Sequence, residues 1–197
     1  MALSENEFVA VVGVVGSLSG VVIGWFITNF EKRAALASKK NLIFSEIEDL
    51  IIQLQSVTGY CSNMCEVMAQ FPTSKFNLVL DALPLNFQET YKQIPLSFSQ
   101  AERINISNLY IRIERLNKLI QQLPLESKMK KSFIDMLDIY RLAKNIEYAA
   151  SEAILHKEVV VDFRSKDFLI FKEEIDSFVA KTRLKRSQTC HAKGIED

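Results

Sequence analysis

The sequence predicts an all-α protein, with a single transmembrane helix continuing into an antiparallel cytosolic helical bundle. Three observations lead there. Residues 8–30, FVAVVGVVGSLSGVVIGWFITNF, contain no charged side chain. Beyond them, apolar residues recur at alternating steps of three and four, the period of one helix face. Of six glycines, only Gly59 and Gly194 lie outside the charge-free run, too few for the tight turns of an all-β sandwich.

The charge-free run organises the chain. At about 1.5 Å per residue it spans about 34 Å as a helix, enough to cross a hydrocarbon core of about 30 Å with some tilt. The flanks set its direction. Residues 1–7 carry Glu5 and Glu7 and no Lys or Arg, whereas Lys32, Arg33, Lys39 and Lys40 follow the run. Basic residues stay on the cytoplasmic side, so a short extracytoplasmic N-terminus and a cytoplasmic C-terminal domain are expected, in a bacterial inner membrane. Trp25, Phe26 and Phe30 fall near the cytoplasmic boundary, where aromatic rings prefer the headgroup level. A cleaved signal peptide would need a basic start and a shorter apolar core. Here the start is acidic and the run is long. Ala35-Leu36-Ala37 resembles a cleavage box, but it lies behind basic residues.

Within the run, Gly16, Gly20 and Gly24 repeat every four residues, with Gly13 three before. Glycines at that spacing let two helix backbones approach closely in lipid, so this face is expected to drive homo-oligomerisation, with Ser17 and Ser19 able to add hydrogen bonds. Glycine is also simply common in membrane helices.

Residues 31–185 are expected to form the cytosolic bundle. Residues 31–42 lack Gly and Pro and continue the helix. The seam Ile43, Ile47, Leu50, Leu54, Val57, Cys61, Met64, Met68 and Phe71 then covers about four heptads. Phe44, Ile51 and Cys65 widen it, as in a helix packed inside a bundle rather than a bare coiled coil. One helix of about 95 Å could join residues 8–71, with Gly59 as a candidate bend. Pro72 ends it. Broken helices are expected at about 74–83 and 86–94, the first capped by Thr73 or Ser74. Ser99 and Glu102 form a capping box opening a helix over 99–123. Its seam is Ile106, Leu109, Ile113, Leu116, Ile120 and Leu123, although alternation across 104–113 also permits a strand. After Pro124 a long helix is expected over 126–155, with Phe133, Met136, Leu137, Tyr140, Ala143, Ile146, Ala150 and Ala153 on one face. Residues 156–167 read as an extended connector. Ser165 caps a last helix over 166–185, carrying Phe168, Phe171, Ile175, Phe178 and Thr182. The polar stretch 186–197 reads as a disordered tail.

Composition narrows the chemistry. Removing Glu5 and Glu7 from the 24 acidic residues leaves 22, against 24 basic ones beyond the run. That balance gives no electrostatic case for nucleic acid. Without clustered glycines beyond the run there is no phosphate-cradling loop or dinucleotide fingerprint. Three cysteines without framework spacing fit a reducing compartment. Cys61 and Cys65 share a helix face, and Cys190-His191 could add two metal ligands, but seam cysteines behave as small hydrophobes. His156 and His191 lack a catalytic partner pattern. The carboxylates lie on solvated faces. No cofactor, no metal and no enzymatic activity are expected.

Two basic clusters remain. Lys32, Arg33, Lys39 and Lys40 can meet anionic lipid headgroups. Lys181, Arg183, Lys185 and Arg186 read as cations closing the last helix, where they complement its negative end, with contact to a membrane surface or nucleic acid as the alternative. Asn105-Ile106-Ser107 matches a glycosylation acceptor, which a cytoplasmic domain would not use. The expected function is therefore a membrane-anchored interaction or assembly module. It would contact lipid, and itself or a protein partner through helix faces. A membrane-perturbing effector with an oligomerising span is the alternative, and a small-molecule sensor with a pocket between helices is the third possibility.

Overall fold

The computed structural model describes residues 5–85, 87–123 and 129–195. The side chains of residues 5–16, 18 and 129 lie outside the description. Five α-helices and one short 3₁₀ turn make up the described secondary structure: α1 (Glu5–Gln70), α2 (Phe87–Gln93), the 3₁₀ turn (Pro95–Ser97), α3 (Gln100–Gln121), α4 (Met129–Leu155) and α5 (Lys166–Ala192). No strand occurs among the described residues, so the alternation across 104–113 resolves as helix. The chain divides into two compact units, Met1–Asn41 and Leu42–Asp197.

The first unit contains the part of α1 that reaches Asn41. Its described side chains are almost all exposed. Among the described residues, no helix is long and apolar enough to cross a membrane. Residues 8–16 and 18 of the charge-free run lie outside the described side chains, so that statement covers only the later part of the run.

The second unit is a helical bundle with one continuous hydrophobic core. Helix α1 contributes Ile43, Phe44, Ile47, Leu50, Leu54, Val57, Cys61, Cys65, Met68 and Ala69, all buried. The helix runs through Gly59 without interruption. Ser99 opens α3 with a complete capping box. Its hydroxyl accepts from the Glu102 amide at 3.2 Å, and its own amide donates to the Glu102 carboxylate at 2.8 Å. Ile106, Leu109, Ile113, Leu116 and Ile120 then face the core.

Helix α4 packs against both α3 and α5. Its alanines, Ala143, Ala149, Ala150 and Ala153, are buried, and such small side chains allow neighbouring helices to come close. The α4–α5 pair is antiparallel. Phe133 meets Arg186, Tyr140 meets Phe178, Arg141 meets Asp176 and Tyr148 meets Phe168, so position rises along one helix as it falls along the other.

Two sequence expectations are corrected here. Residues 75–85 are not a helix. This segment runs without regular structure, burying Leu78 and Leu83. Side chains of α1 and α3 take backbone hydrogen bonds at Val79 and Leu83. The Val79 amide donates to the Tyr60 hydroxyl at 3.3 Å, and Leu83 exchanges two bonds with the Asn117 side-chain amide, at 2.8 and 2.9 Å. Thr73 and Ser74 accordingly cap nothing. The second correction concerns the tail. Helix α5 continues past residue 185 to Ala192, because Arg186 and Cys190 are both buried and extend its inner face by two more turns.

Residues 156–165 form the connector between α4 and α5. Asn105 anchors it to α3: its Nδ2 donates to the Val159 carbonyl at 2.8 Å, and its Oδ1 accepts from the Val161 amide at 3.0 Å. Arg112 lies over the Phe163 ring at 4.0 Å. Ser165 caps α5, accepting from the Phe168 amide at 3.2 Å.

Candidate functional site

Of the glycine face, Gly13 and Gly16 lie outside the described side chains. At Gly20 and Gly24 an added Cβ would meet nothing within 4 Å. No packing among the described residues therefore calls for glycine at either position. Around them Val21, Val22, Ile23, Trp25, Phe26, Ile27 and Phe30 are exposed, Val21 by 70% and Phe30 by 75%. These residues occur at consecutive positions and so encircle the helix rather than forming one stripe. A helix that is apolar all round is normally covered by lipid or protein. Thr28 turns its hydroxyl inward and donates to the Gly24 carbonyl at 2.8 Å, which hides one polar group in an apolar stretch. Lys32, Arg33 and Lys39 are exposed and Lys40 is half-buried.

The seam of α1 has a different fate. Ile43, Ile47, Leu50, Leu54, Val57, Cys61 and Met68 are buried in this chain's own core, and Met64 is half-buried against it. The seam of α3 is likewise internal. Neither is left as an open face.

Cys61 and Cys65 lie in the core, where burial raises both thiols. The Cys65 thiol is pushed up to about 12. Neutral buried thiols are poor nucleophiles and poor metal ligands. No group of His, Cys, Asp and Glu that could hold a metal ion occurs among the described residues. Glu46 is raised by burial and by neighbouring Asp49, and one of its carboxylate oxygens is buried without a hydrogen-bond partner. Asp176 lies below the usual carboxylate range, chiefly through its hydrogen bond from Lys172 at 2.9 Å, aided by the charges of Lys172 and Arg141.

No protein-family model, no curated protein and no solved structure matches this chain. Its function has to be argued from its own residues.

The most informative of these is Arg186, which the sequence places in a loose tail. It is 4% exposed. Its Nη1 donates to the Met68 carbonyl in the last turn of α1 at 3.2 Å, and its guanidinium lies over the Phe133 ring at 4.8 Å. One side chain of α5 thus reaches α1 and α4. Beside it opens a cleft of about 420 Å³, lined by Lys130, Phe133 and Ile134 from α4, and by Arg183, Leu184, Arg186 and Ser187 from α5. Among the described lining residues are three cations, Lys130, Arg183 and Arg186. The reading of residues 181–186 as helix-closing cations is corrected with the tail: α5 ends at Ala192, and the basic residue in its last turn is His191. The signal available in the sequence was the spacing Thr182, Arg186 and Cys190, which continues the inner face of α5 at steps of four.

Proposed function

We propose that this protein is a membrane-anchored, non-catalytic assembly module, in which residues 8–30 lie in a bilayer and the helical bundle is held at its cytoplasmic face. The observation that carries this reading is the ring of exposed large apolar side chains at residues 21–30 within a longer charge-free run. In water such a surface is a liability, and in lipid it is matched to its solvent. Basic residues on one side only favour a cytoplasmic C-terminus.

Self-association is assigned to the glycine face rather than to the helical seams. The seams are occupied by the chain's own core, whereas Gly20 and Gly24 have open space around them. Close backbone approach of two such helices is the arrangement that glycine every four residues permits in lipid. The test combines topology with assembly. A reporter active only in the cytoplasm, fused after Asp197, should be active, and crosslinking in membranes should yield oligomers that Gly20→Ile removes. A periplasmic C-terminus would overturn the orientation. Monomers throughout would leave the anchor and remove the assembly role.

A further inference from the structure

We propose that the end of the helical bundle at which α1 enters it is a second lipid contact, with Leu96, Leu155, Val159 and Val160 resting in the headgroup region of the bilayer that holds residues 8–30. This inference rests on the membrane-anchor reading and adds to it which surface of the bundle meets the lipid.

Three stretches of chain meet at that end. Phe44 lies just inside the bundle, which begins at Leu42. The Lys157 ammonium sits over the Phe44 ring at 4.1 Å, and Phe44 meets Phe98, next to the 3₁₀ turn, at 6.1 Å between ring centres. Asn105, near the start of α3, holds Val159 and Val161. The α4–α5 connector and the 3₁₀ turn are thus placed beside the entry of α1. Of the bundle's described large apolar side chains, the two most exposed are both here: Leu96 at 87% and Leu155 at 71%. Leu42, Val159 and Val160 are exposed as well.

The connector is suited to leave water. The His156 amide donates to the Glu152 carbonyl at 2.8 Å and the Val159 amide to the His156 carbonyl at 3.0 Å, while Asn105 serves the Val159 carbonyl and the Val161 amide. Backbone groups with such internal partners lose little on entering a less polar layer. Between the exposed apolar residues, Lys157 and Glu158 carry opposite charges, so the attraction is apolar and does not require anionic lipid. The length of chain supplies the occupant. Only residues 31–41 separate the charge-free run from Leu42, and as a helix the step from Phe30 to Leu42 covers about 18 Å. Headgroups fill about 5–7 Å of that distance. A lean of the bundle toward the bilayer covers the rest, and large exposed apolar side chains gathered at one end mark such a contact.

The test attaches a nitrobenzoxadiazole fluorophore to one introduced cysteine at a time in the full-length protein: Ile27→Cys, Leu96→Cys, Leu155→Cys or Phe71→Cys. The native cysteines are buried, so the label goes to the introduced one. Phe71 is exposed just past the far end of α1, about 40 Å along the helix from Phe44, and serves as the control. Emission is compared in phosphatidylcholine vesicles with and without brominated acyl chains. Brominated lipid should remove about half or more of the emission at Ile27, Leu96 and Leu155, since interfacial groups sit roughly 5–10 Å deep, and should leave Phe71 unchanged. The double substitution Val159→Glu/Val160→Glu, at exposed positions, should restore emission at Leu96 and Leu155 without altering Ile27. Quenching at Ile27 but at neither Leu96 nor Leu155 would overturn this inference and leave the anchor standing. Absence of quenching at every position would overturn the anchor, and the inference with it. Equal quenching at Phe71 and Leu155 would show that the bundle meets lipid without a preferred end, which overturns it too. So would a blue-shifted, unquenched label at Leu155 that Gly20→Ile shifts to the red, because a second copy would then cover this end.

Discussion

Arg186 donates a hydrogen bond to the Met68 carbonyl at 3.2 Å, joining the end of α1 to α5 across 118 residues of sequence. A carbonyl in the last turn of a helix has no partner within that helix. Here a buried guanidinium supplies it, and the Phe133 ring covers the same cation.

Arg186→Ala should therefore destabilise the bundle by about 2–4 kcal/mol, because it leaves a buried carbonyl unpaired and opens a void. Arg186→Met fills the void and should cost less. Urea unfolding of the full-length protein in detergent, followed by circular dichroism, measures both. Equal stability of all three proteins would show that the buried contact contributes nothing net.

The two asparagines of α3 act as separate clamps. Asn105 holds the connector between α4 and α5, and Asn117 holds the segment before α2. Asn105→Ala should cost about 1–2 kcal/mol. It should speed hydrogen exchange at the Val161 amide while leaving the Leu83 amide protected. Asn117→Ala should do the reverse. Site-resolved exchange rates distinguish the two, and simultaneous loss of both protections in either variant would contradict independent clamping.

Burial makes Cys61 and Cys65 inert in the folded state. Alkylation by iodoacetamide should therefore follow unfolding, being slow in buffer and fast in urea. A pH dependence follows from the raised thiols. An unfolded cysteine releases its proton near pH 8.5, while the folded thiol keeps it. Over that window the folded state binds more protons, so stability falls as pH rises above about 8.5 and toward 12. The slope is up to about 1.4 kcal/mol per pH unit for each thiol. Replacing both by Ala should flatten the alkaline limb of the stability profile.

The seam of α1 is internal, and a paired substitution can show it. Leu54 is fully buried, whereas Ile52, two residues earlier, is exposed. Leu54→Ala should cost about 2–5 kcal/mol, and Ile52→Ala about 0.5 kcal/mol or less. Both should be independent of protein concentration, because the seam is filled by the same chain. A concentration-dependent loss at Leu54 would indicate that the seam pairs between chains.

The helices themselves were legible in the residues. Alternating steps of three and four marked the inner faces of α1, α3 and α4, and the Ser99–Glu102 box marked the start of α3 to the residue, because these signals are local and repeat within a few turns. The charge-free run and its one-sided basic flank were equally plain. Local signals misjudged two places. Residues 75–85 have passable helical composition, but Tyr60 and Asn117 offer their backbone hydrogen bonds from other helices. Polar residues 186–192 look like a tail, yet Arg186 finds Met68 and Phe133, and the helix extends to carry it there. The basic cleft was out of reach for the same reason. Lys130 and Arg183 lie on different helices, and only the antiparallel packing of α4 on α5 puts them around one cavity. Periodicity and capping signals along the chain determined which faces of α1, α3 and α4 turn inward and where α3 begins. Which backbone groups those helices satisfy, and which cations they gather, was decided by tertiary packing, because both depend on contacts between residues far apart in sequence.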